Sequence, residues 1–150
     1  MFTIVKRYPE ICTAHRHWRA DTHCSRIHGY ARTVEITLEA EDLHQGWVID
    51  LGDLKFIRTF LTEAWDHRLL VADDDPLLED MKALEARGAL SLNIMNTKLG
   101  HGPALEGSCV FIKDHVGPEI HRLTGGRVRL SKVEIWEKTD NRASLVIPHD

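Results

Sequence analysis

Two imidazoles two residues apart, His15 and His17, close the first apolar run of this 150-residue chain in the phrase TAHRHW. A second phrase, HCSRIHGYARTVEITLE at 23–39, sets Cys24 and His28 four residues apart and turns directly into an alternating strand pattern. Residues two apart on a strand point to the same face. His15 and His17 therefore form one same-side pair, and His28 and Tyr30 another. Two adjacent antiparallel strands would gather all four on one patch. Three imidazoles with an open fourth position make a catalytic zinc site, where the metal polarises a carbonyl or activates water. The plainer alternative is that some of these histidines are exposed polar residues at a strand end.

Cys24 sits among His23, Ser25 and Arg26. Neighbouring cations or a metal would lower its pKa towards a usable thiolate. Cys12 and Cys109 lie inside apolar patterns and read as small buried hydrophobes. WDHRLL at 65–70 offers Asp66 beside His67, and a carboxylate that orients an imidazole makes a general base. The alternative there is charge decoration at a helix end. Glu137, in VEIWEKT near the end of a late apolar strand, could accept two N–H bonds from a guanidine-like ring edge or stand solvated.

The elements that must position these residues fit one domain spanning 1–150. Apolar residues make up 43% and charged residues 28%, as in ordinary soluble domains. A net charge of −4 argues against a nucleic-acid or membrane-surface binder. No apolar run approaches the roughly 18 residues of a membrane span. The alternating start MFTIVKRYPE does not read as a signal peptide. Three cysteines are too few for a disulfide scaffold, so a reducing cytoplasm is the expected setting.

The first strand runs from about Phe2 to Ala14, with Pro9 marking an edge or bulge. Val34, Ile36 and Leu38 alternate with polar residues in a second strand. GWVID at 46–50 continues it towards a helix that Asp50 or Asp53 can cap and that Leu54, Ile57, Phe60 and Leu61 stripe. A second helix starts at Asp75-Pro76 and stops at Gly88. LSLNIM at 90–95 is either a short strand or a connector. A third helix spans about Ala104 to Leu123, with a break or kink expected at Gly117-Pro118, and two final strands form a closing hairpin. The pattern predicts an α+β domain with a four-stranded antiparallel sheet, helices on one face, and open edges that invite subunit pairing.

Read in order, TAHRH, CSRIHGY, GWVIDLGDLK, WDHRLL, PALEGS and WEKT resemble the signature segments of the 6-pyruvoyltetrahydropterin and 6-carboxytetrahydropterin synthase family over nearly the whole chain. That family shows an AAHRL strand end, CxxxHGH, GxxxDFxxLK, LDHxxLN, a PTxEN helix start and a final ET. The resemblance implies a tunnelling fold, in which trimers close an oligomeric barrel that often stacks into a hexamer, with active sites between subunits. It also implies zinc held by His15 and His28, with Cys24, Asp66 and His67 as the catalytic set and Glu137 as the pterin anchor. The family's third ligand position falls at Tyr30, and its Leu after AHR is His17 here. The expectation is therefore that His15, His17 and His28 hold the metal while Tyr30 hydrogen-bonds nearby. PTxEN and ET are altered to PALEG and EKT, and the segment 84–103 is longer than the family pattern.

The implied reaction is that of a zinc-dependent carbon–oxygen/carbon–carbon lyase. It would convert 7,8-dihydroneopterin triphosphate to 6-carboxy-5,6,7,8-tetrahydropterin in 7-deazaguanine (queuosine-type) biosynthesis. Four residues from Cys24 to His28 match the carboxy type, whereas pyruvoyl-type enzymes have a longer gap. The alternatives are a pyruvoyl-type or side-chain-cleaving enzyme, or a non-catalytic pterin-binding relative. The expected partners are the pterin and further copies of the chain, without nucleic acid or membrane.

Overall fold

The computed structural model describes residues 1–149. Six strands form one mixed sheet: β1 (Phe2–His15), β2 (His28–Ala40), β3 (Arg68–Ala72), β4 (Leu92–Met95), β5 (Arg129–Trp136) and β6 (Arg142–Val146). Their spatial order is β4-β3-β1-β2-β5-β6. The antiparallel part is β1, β2, β5 and β6, which are the four strands expected. The correction is a parallel flank, in which β3 pairs with β1 and β4 pairs with β3.

Strand β4 takes up the short-strand alternative at 90–95, whereas β3 escaped a reading based on alternation because it is buried on both faces. Leu70 joins the main core, while Leu69 and Val71 join a second cluster with Met81 and Leu92. A strand covered on both sides reads as a continuous apolar run rather than an alternating one. The helices therefore lie on both faces. Helices α1 (Lys55–Ala64) and α3 (Leu105–Thr124) pack on the main face, and α2 (Leu78–Ala86) covers β3 and β4 from the other.

Several local expectations hold. The β1–β2 register slips between Tyr8 and Ile11. Pro9 has no N–H to donate there, and Glu10 takes φ of 61°. Asp50 accepts from the Gly52 N–H at 2.8 Å and caps the turn leading into α1. Asp75 accepts from the Leu77 N–H, one turn before α2 becomes regular at Leu78.

Two local expectations do not hold. Residues 44–47 form a turn closed by a His44–Trp47 bridge, with Gly46 at φ of 90°, and 48–49 follow it as a bend rather than a continuing strand. Helix α3 runs through Pro118 without ending. Ile112, Val116 and Ile120 are fully buried on either side of that proline. Burying three such side chains, at about 1.5–3 kcal/mol each, outweighs the roughly 3 kcal/mol of an internal proline.

Candidate active site

After the bulge, the β1–β2 register aligns Ile11 with Arg32, Thr13 with Tyr30 and His15 with His28. The alternation that turns Val34, Ile36 and Leu38 into the core also turns Arg32, Tyr30 and His28 towards the helices. The His15 and His28 rings lie 4.4 Å apart between centroids, with Tyr30 at 6.2 and 5.6 Å from them. The structure thus brings His15, His28 and Tyr30 together.

At the centre of this patch is a residue the sequence reading missed. Arg32 is fully buried and donates to Ser108 Oγ at 3.1 Å, to the Pro103 carbonyl at 2.7 Å and to His15 Nδ1 at 3.2 Å. Its guanidinium also lies 5.8 Å from the Trp65 ring centroid, within cation–π range. The available signal was its phase: Arg32 is two residues from Val34 on the inward face of β2. Burial pulls the guanidinium down to about 10, opposed by the nearby Glu137 carboxylate, so it stays charged at neutral pH. Burial first, and the Arg32 cation second, push His15 down to about 3. His15 is neutral wherever the protein is folded near neutrality.

His17 follows a different path from His15. Its side chain is exposed, its N–H donates to the Cys24 carbonyl at 2.9 Å, and it lines a 470 Å³ cavity with Arg16, Trp18 and Glu106. Among the described residues, no group of three His, Cys, Asp or Glu side chains is placed to hold a metal ion. The expected set of His15, His17 and His28 is not assembled, because β1 ends at His15 and the chain turns away after it. Two imidazoles with an arginine beside one of them do not fit a three-imidazole zinc centre.

Cys24 lies half-buried in a short helical turn, His23–Ser25, where its N–H is accepted by the Thr22 hydroxyl. A buried ion pair fixes this loop: Arg16 makes two bonds to Asp75, at 2.7 and 3.0 Å, and a third to the Ser25 carbonyl. Cys109 is buried as expected, and burial pushes its thiol up to about 12. Cys12, expected to be buried, is exposed, because it lies on the opposite face of β1 from Ile11 and Thr13.

Asp66 and His67 form a bonded dyad, with Nδ1 and Oδ2 3.0 Å apart. The strand fixes both residues: Cys12 N–H donates to the other Asp66 oxygen, and the His67 N–H donates to the Cys12 carbonyl. His67 takes φ of 57°, a left-handed conformation costing roughly 1–2 kcal/mol in an L residue, and its side chain is 80% exposed. The bond with His67 first, and the Cys12 N–H after it, hold the Asp66 carboxyl below its ordinary value. His67 edges a 540 Å³ cavity with Cys12, Ala14, Tyr30, Ala31 and Leu90, and Cys24 does not line that cavity. Among the described residues, Cys24 makes no hydrogen bond to Asp66 or His67.

Glu137 follows β5, half-buried, with its N–H bonded to Asn141. Among the described residues its carboxylate has no hydrogen-bond or ion-pair partner. The altered helix start has a steric cause: a Cβ on Gly107 would lie 2.5 Å from the Gly102 nitrogen, so the Asn of PTxEN has no room here.

The profile described as 6-pyruvoyl tetrahydropterin synthase matches residues 3–146. A probable 6-carboxy-5,6,7,8-tetrahydropterin synthase from Halobacterium salinarum is 35% identical over 69 residues, 46% of this chain and 43% of that protein. The match thus spans less than half the length of that relative. The 6-carboxy-5,6,7,8-tetrahydropterin synthase of Aquifex aeolicus is 25% identical over 123 residues, 80% of this chain and 74% of the relative. An uncharacterised protein from Wolinella succinogenes has the same fold, with a TM-score of 0.79 at 22% identity over 97% of both chains. So does a 6-pyruvoyltetrahydropterin synthase from Plasmodium vivax, with a TM-score of 0.67 at 15% identity over 97% of this chain and 98% of that one. The profile covers almost the whole chain and the segment order agrees with it: the chain belongs to the 6-pyruvoyl tetrahydropterin synthase family.

Proposed function

We propose that the chain is a pterin lyase of carboxy type, acting on 7,8-dihydroneopterin triphosphate to give 6-carboxy-5,6,7,8-tetrahydropterin in 7-deazaguanine biosynthesis. The observation that carries the reading is the Asp66–His67 dyad, bonded at 3.0 Å and pinned to β1 at the edge of a 540 Å³ cavity. That volume lies within the range of small-molecule sites. An exposed imidazole oriented by a carboxylate is equipped to take and return a proton.

In this reading Cys24 is the partner base, and His67 passes the proton while Asp66 holds its ring. Glu137, with its free carboxylate, accepts N–H bonds from the amino-pyrimidinone edge of the pterin. The thiol of one copy meets the dyad of another, so the working form is a homo-oligomer, a trimer or hexamer. Supporting this, both sheet edges are open, with Ile94 on β4 45% exposed and Val146 on β6 68% exposed. Free thiols suit a cytoplasmic enzyme. Bound zinc would supply Lewis-acid chemistry at the substrate's side-chain oxygens, and no step above requires it.

The test is to incubate purified protein with 7,8-dihydroneopterin triphosphate and identify the product by mass. A 6-carboxytetrahydropterin product supports the reading. A 6-pyruvoyl product moves the chain to the other branch of the family, and unchanged substrate overturns the enzymatic reading.

A further inference from the structure

We propose that Arg32 keeps His15 out of metal ligation and makes the His15–His28 pair a metal-free donor–acceptor couple. The argument is one of proton placement. A guanidinium carries only donors, so the 3.2 Å contact from Arg32 requires His15 Nδ1 to present its lone pair. The one proton of the neutral ring then sits on Nε2. His28 is the mirror case. Its Nδ1 lies 2.6 Å from the Arg26 carbonyl, which only accepts, so Nδ1 carries a proton and, in the neutral ring, Nε2 presents a lone pair.

A neutral imidazole binds a metal through a lone pair while its other nitrogen donates to a carbonyl or carboxylate. His28 has that arrangement and His15 does not. Freeing His15 Nε2 for a metal would move its proton onto Nδ1, setting two donors against each other beside a fixed cation. The guanidinium is held in place inside the core, because Ser108 Oγ accepts from Nη1 and the Pro103 carbonyl accepts from the same Nη2 that reaches His15.

What remains is a pair of rings 4.4 Å apart, one offering an N–H and the other a lone pair. Such a couple fits a ligand with an acceptor and a donor on adjacent atoms, such as a hydroxyketone or a 1,2-diol. Resting on the reading above, that ligand is the hydroxylated side chain of the pterin. Arg32 is then a positioning residue, acting through His15 without touching substrate.

The test uses the full-length protein labelled with ¹⁵N and a long-range ¹H–¹⁵N correlation of the imidazoles at pH 7, followed by zinc titration against a chromophoric chelator. Expected are His15 protonated at Nε2, His28 protonated at Nδ1, and less than one tightly held zinc per chain. Zinc affinity should also be unchanged within twofold in His15→Ala and His17→Leu. Arg32→Met should raise zinc affinity at least tenfold and free the His15 tautomer. If that variant does not fold, the wild-type spectrum decides alone. His15 protonated at Nδ1, or one zinc per chain that is lost in His15→Ala, would overturn the proposal. Neither readout involves turnover, so absence of pterin chemistry would leave the tautomer result standing.

Discussion

His15 and His67 are both anchored at the C-terminal end of β1, one beside a cation and the other beside an anion. His15 is 3% exposed, and a guanidinium faces its Nδ1. His67 has an 80% exposed side chain, and a carboxylate faces its Nδ1. Burial and the first neighbour oppose a positive charge on the His15 ring, whereas the second neighbour lies within hydrogen-bond distance of the His67 ring and orients it. The same side chain is therefore held neutral in one place and, under the proposed function, passes a proton in the other, a separation of roles set by environment.

The comparison predicts a steep ordering of variants. Cys24→Ala should abolish turnover while leaving the circular dichroism spectrum and melting temperature unchanged, since the thiol lies in a loop fixed by Arg16 and Asp75. Near-normal turnover would remove the thiol from the mechanism. Asp66→Asn and His67→Ala should each lower kcat about 10²-fold, the scale of a lost acid–base group. His15→Asn, measured alongside them, should show no loss of the acid–base limbs in its pH–rate profile.

Glu137→Gln should raise KM for the pterin tenfold or more, because one of two charge-assisted bonds worth about 1.5–3 kcal/mol each is lost. Unchanged pterin affinity in a binding titration would make Glu137 a solvated residue that only balances Arg32.

A separate effect concerns stability. His15 is depressed to about 3 in the fold, against about 6.5 in an unfolded chain. The unfolded state therefore binds the extra proton between those values, and stability falls as pH drops from about 6.5 towards 3. The slope is at most about 1.4 kcal/mol per pH unit for one proton. Urea midpoints at pH 7 and 4.5 should converge in His15→Asn relative to wild type. An equal acid loss in both proteins would show that His15 is not held neutral.

The sequence told most about the antiparallel half of the sheet and least about the parallel flank. The alternation in β2, the Pro9 bulge in β1 and the final hairpin carry period-two or turn signals that survive folding. Strand β3 carries none, since Leu69, Leu70 and Val71 are buried on both sides, and β4 is four residues long. Asp66–His67 was readable as a pair because the two residues adjoin. The Arg32–His15 contact joins residues 17 apart and depends on which face each strand turns inward. His17 was placed by continuing β1 two residues too far, and Cys12 by treating an apolar neighbourhood as burial.

The central claim is that Cys24 and the Asp66–His67 dyad are two halves of one site supplied by different copies of the chain. The most direct measurement mixes two inactive variants, Cys24→Ala and His67→Ala, in equal amounts after reversible dissociation. Random reassembly places an intact thiol against an intact dyad at one interface in four, so turnover should recover to about a quarter of the wild-type rate. A mixture no more active than either variant alone would contradict a site shared between copies.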